Sequence, residues 1–227
     1  MIKVENISIW GFEHAIRGMR NPMNSWNRSD SYYGCSYYGC SEDKCDYCVF
    51  QEECTNVYHN YCIGQNDLQL MQRLYKAGTE HRKYLRQILV SMDITAPLYW
   101  WKEFDTYKIG TVSNSCSTMH KIHAKEFELD DFSHDHLKHN GLDVLFNIIL
   151  HLNICRLKYI KSNDKDDWWQ LIQLLPSSYN QKRTITMSYE NVMNIIGQRK
   201  NHKLDEWRNF VEIVEKLDYV KEIKGAE

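Results

Sequence analysis

Six of the eight cysteines, Cys35, Cys40, Cys45, Cys48, Cys54 and Cys62, crowd one stretch of the chain that is poor in aliphatic residues. Cys45-x-x-Cys48 has the bite with which two thiolates hold one tetrahedral ion, and zinc is the first candidate. A second pair from the same stretch would close a four-thiolate site and would order a segment with no core of its own. An iron–sulfur cluster uses the same ligands, and free thiols in a surface loop are the competing reading. Cys35, Cys40, Cys45 and Cys48 are the metal-ligand candidates. His134-x-His136 with His139 supplies a second set of donor atoms, but the flanking Asp, Ser, Lys and Asn read as an exposed loop with solvated histidines. Cys116 sits between small polar residues with no evident base, which reads as an unactivated thiol.

A different chemistry is suggested by the segment from Arg17 to Trp26, which gathers two arginines, two asparagines and a tryptophan around Pro22. Such a polar loop either contributes to a ligand site or lies on the surface with Trp26 and Met23 anchoring it. The net charge of -2, from 28 basic and 30 acidic side chains, gives no global basic field to hold a nucleic-acid backbone. No run of about eighteen apolar residues is present, and residues 1–10 alternate polar and apolar, unlike a secretory signal. The expectation is a soluble, cytoplasmic protein with reduced cysteines and no membrane partner.

The elements that must position these groups follow from periodicity. At 227 residues and 43% hydrophobic, the chain fits one domain over 1–227, with residues 28–65 as an irregular Cys-rich insertion. Val4, Ile7 and Ile9 suggest a first strand, followed by a helical turn over 13–19. Helical spacing returns over 67–77, with Gly78 as its stop. Residues 88–94 read as a buried strand, and Pro97 can open a short helix over 98–108 that carries Trp100 and Trp101. These two rings could stack on a planar ligand, but neighbouring aromatics in an apolar segment are more often core. Residues 143–160 and 166–175 are further helices, the latter stopped by Pro176. An extended stretch over 182–187 precedes Ser188, which can cap a helix to Arg199. Leu204, Trp207, Val211, Val214 and Leu217 mark a last amphipathic helix.

Three segments in order resemble the signature regions of the flavin-dependent thymidylate synthases (ThyX-type). Gly78-Thr79-Glu80-His81, a strand and Ala96-Pro97-Leu98-Tyr99 resemble the first. The central motif of that family, R-H-R-x-x-S-x-N-E-x-S-x-R-Y after a Gln, is matched in layout with one extra residue. Glu103 stands at the Gln position, Thr106-Tyr107-Lys108 at the triplet, and Asn114-Ser115-Cys116-Ser117-Thr118-Met119-His120 at the second half. Leu175-Pro176-Ser177-Ser178-Tyr179, then Met193-Asn194-Ile195-Ile196-Gly197-Gln198-Arg199 and Trp207, resemble the third.

The resemblance implies a mixed α/β (α+β) fold with a twisted, largely antiparallel sheet flanked by long helices, assembled as a homotetramer with ligand sites between subunits. It implies FAD as cofactor, with NADPH and methylenetetrahydrofolate as further reactants, and one-carbon transfer to uracil C5 of dUMP. By position it assigns cofactor contact to His81, Lys108 and Asn194, and recognition of the pyrimidine deoxynucleotide to Glu103, Ser117 and Arg199. Two phosphorylated ligands need several fixed cations. Within the triplet only Lys108 is charged, and Met119 cannot grip a phosphate. Arg17, Arg20, Arg82, Arg86, Lys121 and Arg183 are the substitutes the sequence offers. The alternative is a scaffold that has lost catalysis and serves as a nucleotide-binding or protein-interaction protein.

Overall fold

The computed structural model describes residues 2–35, 40–41 and 60–225. Its strands are β1 (Lys3–Trp10), β2 (Tyr32–Cys35), β3 (Cys40–Ser41), β4 (Asn60–Cys62), β5 (Leu89–Pro97), β6 (Thr111–Ser115) and β7 (Asn180–Ser188). Its helices are α1 (Phe12–Arg20), α2 (Gln65–Lys76), α3 (Leu98–Phe104), α4 (His139–Ser162), α5 (Lys165–Leu174), α6 (Tyr189–Arg199), α7 (Asp205–Val214) and α8 (Val220–Lys224). The chain forms two compact units. One is drawn from Met1–Ser8, Ser91–Met187 and Ile195–Ile213, and the other from Ile9–Val90, Ser188–Asn194 and Val214–Glu227.

The first unit is organised by a sheet in the order β1-β5-β7-β6. In β5, Met92, Ile94 and Ala96 are buried and alternate with half-exposed Ser91, Asp93 and Thr95, the period of two that one covered face demands. The Asp93 carboxylate accepts from Thr184 at 2.7 Å and Asn6 at 2.9 Å, and pairs with Lys182 at 3.1 Å. These hydrogen bonds, with the lysine, hold its pKa down to about 2. Ser91 meets Thr186 at 3.1 Å, so numbers fall along β5 as they rise along β7, the antiparallel sense. β6 pairs antiparallel with β7, Val112 opposite Thr186 and Asn114 opposite Thr184. β6 went unread in the sequence because, as an outer strand with mostly exposed residues, it carries no apolar alternation.

Pro97 ends β5 in an extended conformation and starts α3, as its fixed φ favours. Trp100, Trp101 and Phe104 are buried, and with Trp207 and Phe210 of α7 they form an aromatic core. Trp100 lies 4.6 Å from Trp207 and 5.1 Å from Phe104, centroid to centroid. The two tryptophans are therefore core and not a stacking platform. A second apolar cluster, Phe127, Phe132, Leu145, Ile149, Leu152 and Leu171, joins α4 to α5. Helix α4 is apolar on more of its circumference than this cluster covers: Phe146, Leu150, Leu157 and Ile160 are each more than half exposed.

In the second unit, Ala15, Ile16 and Met19 of α1 are buried, as are Leu70 and Met71 of α2. Tyr84 donates to the Met71 carbonyl at 2.8 Å. Tyr189 donates to the Asp218 carbonyl at 2.9 Å, and its ring meets Phe12 edge-on at 5.6 Å. Gly11 has φ +97 and any Cβ there would lie 2.1 Å from the Gln87 carbonyl oxygen, so only glycine fits. The Ser188 hydroxyl accepts from the Asn191 amide at 3.3 Å, the expected cap of α6.

The stretch read as irregular has structured ends. β3, β2 and β4 form a small sheet in that order, with Tyr33 opposite Tyr61 and their rings 4.9 Å apart. Behind it the buried Asp67 carboxylate takes the Arg20 guanidinium at 2.6 Å, the hydroxyls of Ser29 and Ser31 at 2.7 Å each, and the backbone amides of Asp30 and Ser31. Polar anchoring replaces the apolar signal that periodicity seeks. The last amphipathic segment also differs: α7 ends at Val214, and Tyr219, with φ +60, starts α8 as a separate helix.

Candidate functional site

In the first unit, Glu103 near the end of α3 and Arg199 at the end of α6 are brought together. One oxygen, Glu103 Oε2, accepts from Arg199 Nη1 at 2.7 Å and from Trp207 Nε1 at 3.1 Å, and lies 3.2 Å from His202 Nε2. The other oxygen, Oε1, has no hydrogen-bond partner among the described residues. Arg199 Nε donates to the Tyr107 hydroxyl at 2.9 Å, which in turn donates to Gln198 Oε1 at 2.9 Å. The guanidinium also lies over the Trp207 ring, 4.6 Å from its centroid. Arg199 is thus fixed by a carboxylate, a hydroxyl and an aromatic face. Its positive charge is offset, so an anion reaching it must displace Glu103.

The neighbouring candidates remain at the surface. Lys108 is exposed and forms no ion pair among the described residues. The exposed Ser117 hydroxyl accepts from the backbone amides of Met119 at 3.2 Å and His120 at 2.8 Å, which fixes the turn after β6. Cys116 is exposed; its amide bonds the Lys182 carbonyl and its carbonyl accepts from Gln181. Arg183, one of the proposed substitute cations, pairs with Asp105 at 2.7 Å and lies 4.2 Å from the Trp101 centroid.

In the second unit, Asn194 accepts from Arg82 Nη2 at 3.1 Å. His81, the residue before Arg82, is exposed. Arg86 donates to both oxygens of Glu190, at 2.5 and 3.3 Å, and Arg82 Nε lies 3.7 Å from the same carboxylate. Arg82 also lies over Tyr75 at 5.5 Å. The pattern of the first unit recurs: the guanidinium groups are present and a glutamate compensates them.

Cys35 and Cys40 face each other in the backbone register of β2 and β3. Cys45, Cys48 and Cys54 lie outside the described residues. Among the described residues no group of three or more His, Cys, Asp or Glu side chains could hold a metal. His134, partly buried, bonds the Phe132 carbonyl at 2.8 Å, and the exposed His136 meets Asp205 at 3.0 Å, so both rings engage protein groups. Sequence reasoning missed Glu190 and His202. Glu190 gives no signal beyond an acid in a first helical turn. The link from His202 to Glu103 spans 99 positions and depends on the fold, since only the closing of α6 against α3 creates it.

No family model matches the chain, and no curated protein matches it. Two solved structures of the flavin-dependent thymidylate synthase ThyX from Helicobacter pylori, both with FAD and dUMP, share its fold. One aligns over 93% of this chain and 90% of the other with a TM-score of 0.59 at 16% identity. The second aligns over the full length of both with a TM-score of 0.62, again at 16% identity. The mixed helix and antiparallel-sheet architecture is that of the ThyX structures. Among the described residues no helix is long and apolar enough to cross a membrane.

Proposed function

We propose that this chain is a divergent member of the ThyX family, a flavin-dependent protein acting on a pyrimidine deoxynucleotide, with dUMP as the ligand. The full-length likeness to structures holding FAD and dUMP carries this reading. The residues fit base recognition better than phosphate recognition. Glu103 is held in place by Arg199, Trp207 and His202 through Oε2, which leaves Oε1 to accept the N3–H of a uracil; cytosine has no hydrogen there. In this arrangement Arg199 orients the carboxylate, and Ser117 retains a hydroxyl proton to donate. Asn194, His81 and Arg82 are the groups that the second unit offers to the flavin. FAD, when bound, supplies the reducing electrons for one-carbon transfer, with NADPH and methylenetetrahydrofolate as electron and carbon donors. Cys45 and Cys48, with Cys35 and Cys40, are the proposed zinc or iron–sulfur ligands.

The test is spectroscopic. Purified protein, or protein incubated with FAD, is expected to show the visible bands of bound isoalloxazine. dUMP should then bind about tenfold or more tightly than dCMP, because a site built for a donor leaves a group unpaired against an acceptor. Glu103→Gln should erase that preference while the melting temperature confirms folding. A second reading is favoured by the pairing of Arg82, Arg86 and Arg199 with glutamates: a scaffold without catalysis that binds a partner or nucleotide. Colourless protein that takes up no FAD and does not distinguish the two nucleotides would establish it.

The assembly proposed with this reading is a homotetramer, supported by the uncovered apolar stripe of α4. Sedimentation should give a mass several times 27.2 kDa. Leu150→Glu with Leu157→Glu should lower that mass, and a wild-type monomer at micromolar concentration would rule the tetramer out.

A further inference from the structure

The segment from Arg17 to Trp26 is not anchored by its tryptophan, since Trp26 and Met23 are about half exposed. Its anchor is Arg20, which is 3% exposed. Beyond its bond to Asp67, Arg20 donates to the carbonyls of Ser25 and Arg28, each at 3.1 Å. These bonds fix the loop after α1, where Asn24 adopts a left-handed conformation with φ +46. Between this loop and α2 lies a cleft of about 580 Å³. Its rim carries Arg28, Arg73, Asn24, Asn27, Asn66 and Gln69, and Leu70 and Met23 supply apolar surface.

The composition of this rim is selective. It contains two guanidinium groups and four carboxamides, and no acidic side chain lines it. Unlike Arg82, Arg86 and Arg199, neither Arg28 nor Arg73 forms an ion pair within the described residues. Two acids bonded to residues of this lining are already committed: Asp67 to Arg20, and Asp30 to the backbone amides of Asn66 and Asp67. Asn66, Gln69 and Arg73 are spaced three and four apart on α2, so they present donors along one helical face. The loop bearing the remaining donors is held in advance by a buried charge, which reduces the ordering cost of binding.

From this cleft we infer a binding site for a phosphorylated small molecule, separate from the groups assigned to the flavin and the pyrimidine. Arg28 and Arg73 clamp the phosphate oxygens, the carboxamides supply further N–H donors, and the apolar surface receives the organic part of the ligand. Calorimetric titration of the full chain with inorganic pyrophosphate at low salt tests it. Wild-type protein should bind, and Arg28→Gln and Arg73→Gln should each weaken binding about tenfold or more. Both side chains are exposed, so neither variant should shift the melting temperature, and Arg73→Lys should retain part of the affinity. Absence of wild-type binding overturns the site. So does binding that survives both glutamine variants, or that is lost only in Arg199→Gln. Failure of FAD uptake or of dUMP preference bears on the other groups and leaves this result standing.

Discussion

Asp67→Ala is expected to lower unfolding free energy by about 3–5 kcal/mol, because it strands a buried guanidinium without its counter-charge. Asp67 is fully buried and Arg20 almost so, at 2.6 Å from each other. The same carboxylate also holds two serine hydroxyls and two backbone amides, so its removal frees the ends of the 28–65 stretch as well. For a fold whose total stability is of the order of 5–15 kcal/mol, this is a large share. Urea denaturation followed by tryptophan fluorescence measures it. Arg20→Met combined with Asp67→Ala should cost less than the sum of the single changes, since no unpaired charge remains. Full additivity would show that the pair is not coupled. The pH dependence has a defined sign. Burial alone would raise the Asp67 carboxyl, but hydrogen bonds from Ser31, Ser29 and Arg20 bring it below the usual carboxylate range. A depressed folded-state value means that the stabilisation is complete above the unfolded carboxylate pKa. It fades as pH falls through the folded value, and the Asp67→Ala protein should lack that component of acid sensitivity.

Trp207→Ala is the second large effect, about 3–5 kcal/mol for deleting a buried indole from a close-packed core. Trp207 is fully buried against Trp100, Phe104 and Phe210. Trp207→Phe separates packing from polarity. It keeps an aromatic ring but removes the N–H that reaches Glu103 Oε2 at 3.1 Å, and a loss of about 1–3 kcal/mol is expected. The phenylalanine variant should also loosen Glu103, reducing the preference for dUMP over dCMP while the fold persists. Equal losses from Phe and Ala would place the whole contribution of Trp207 in the hydrogen bond, contrary to the aromatic core described above.

The legible parts of the sequence were those with an apolar period. The strand expected over 88–94 is β5, the helices expected over 67–77, 143–160 and 166–175 are α2, α4 and α5, and Ser188 caps α6. The helix expected over 98–108 stops at Phe104, where the chain turns and the Thr106 hydroxyl donates to the Glu103 carbonyl. β6 and the small sheet around Tyr33 and Tyr61 were not legible, since one is an exposed outer strand and the other is held by Asp67. The layout match brought Glu103 and Arg199 into the same set, and the fold joins them across 96 positions. That the two form a salt bridge could not be read from spacing, because an arginine in a last helical turn looks the same whether it faces solvent, a phosphate or a glutamate.

The order in which the chain is synthesised acquires a meaning from the composition of the second unit. Its first contribution, Ile9–Val90, is made early, yet Tyr189 and the segment around Asp218 and Tyr219, which close it, are made far later. Gln72 likewise bonds the Glu222 carbonyl, at 2.8 Å. Phe12 must therefore wait for its aromatic neighbours until the segment around Tyr219 has been made. A nascent chain of this design is more vulnerable to proteolysis and self-association before the segment from Val214 onward has joined the second unit than after it.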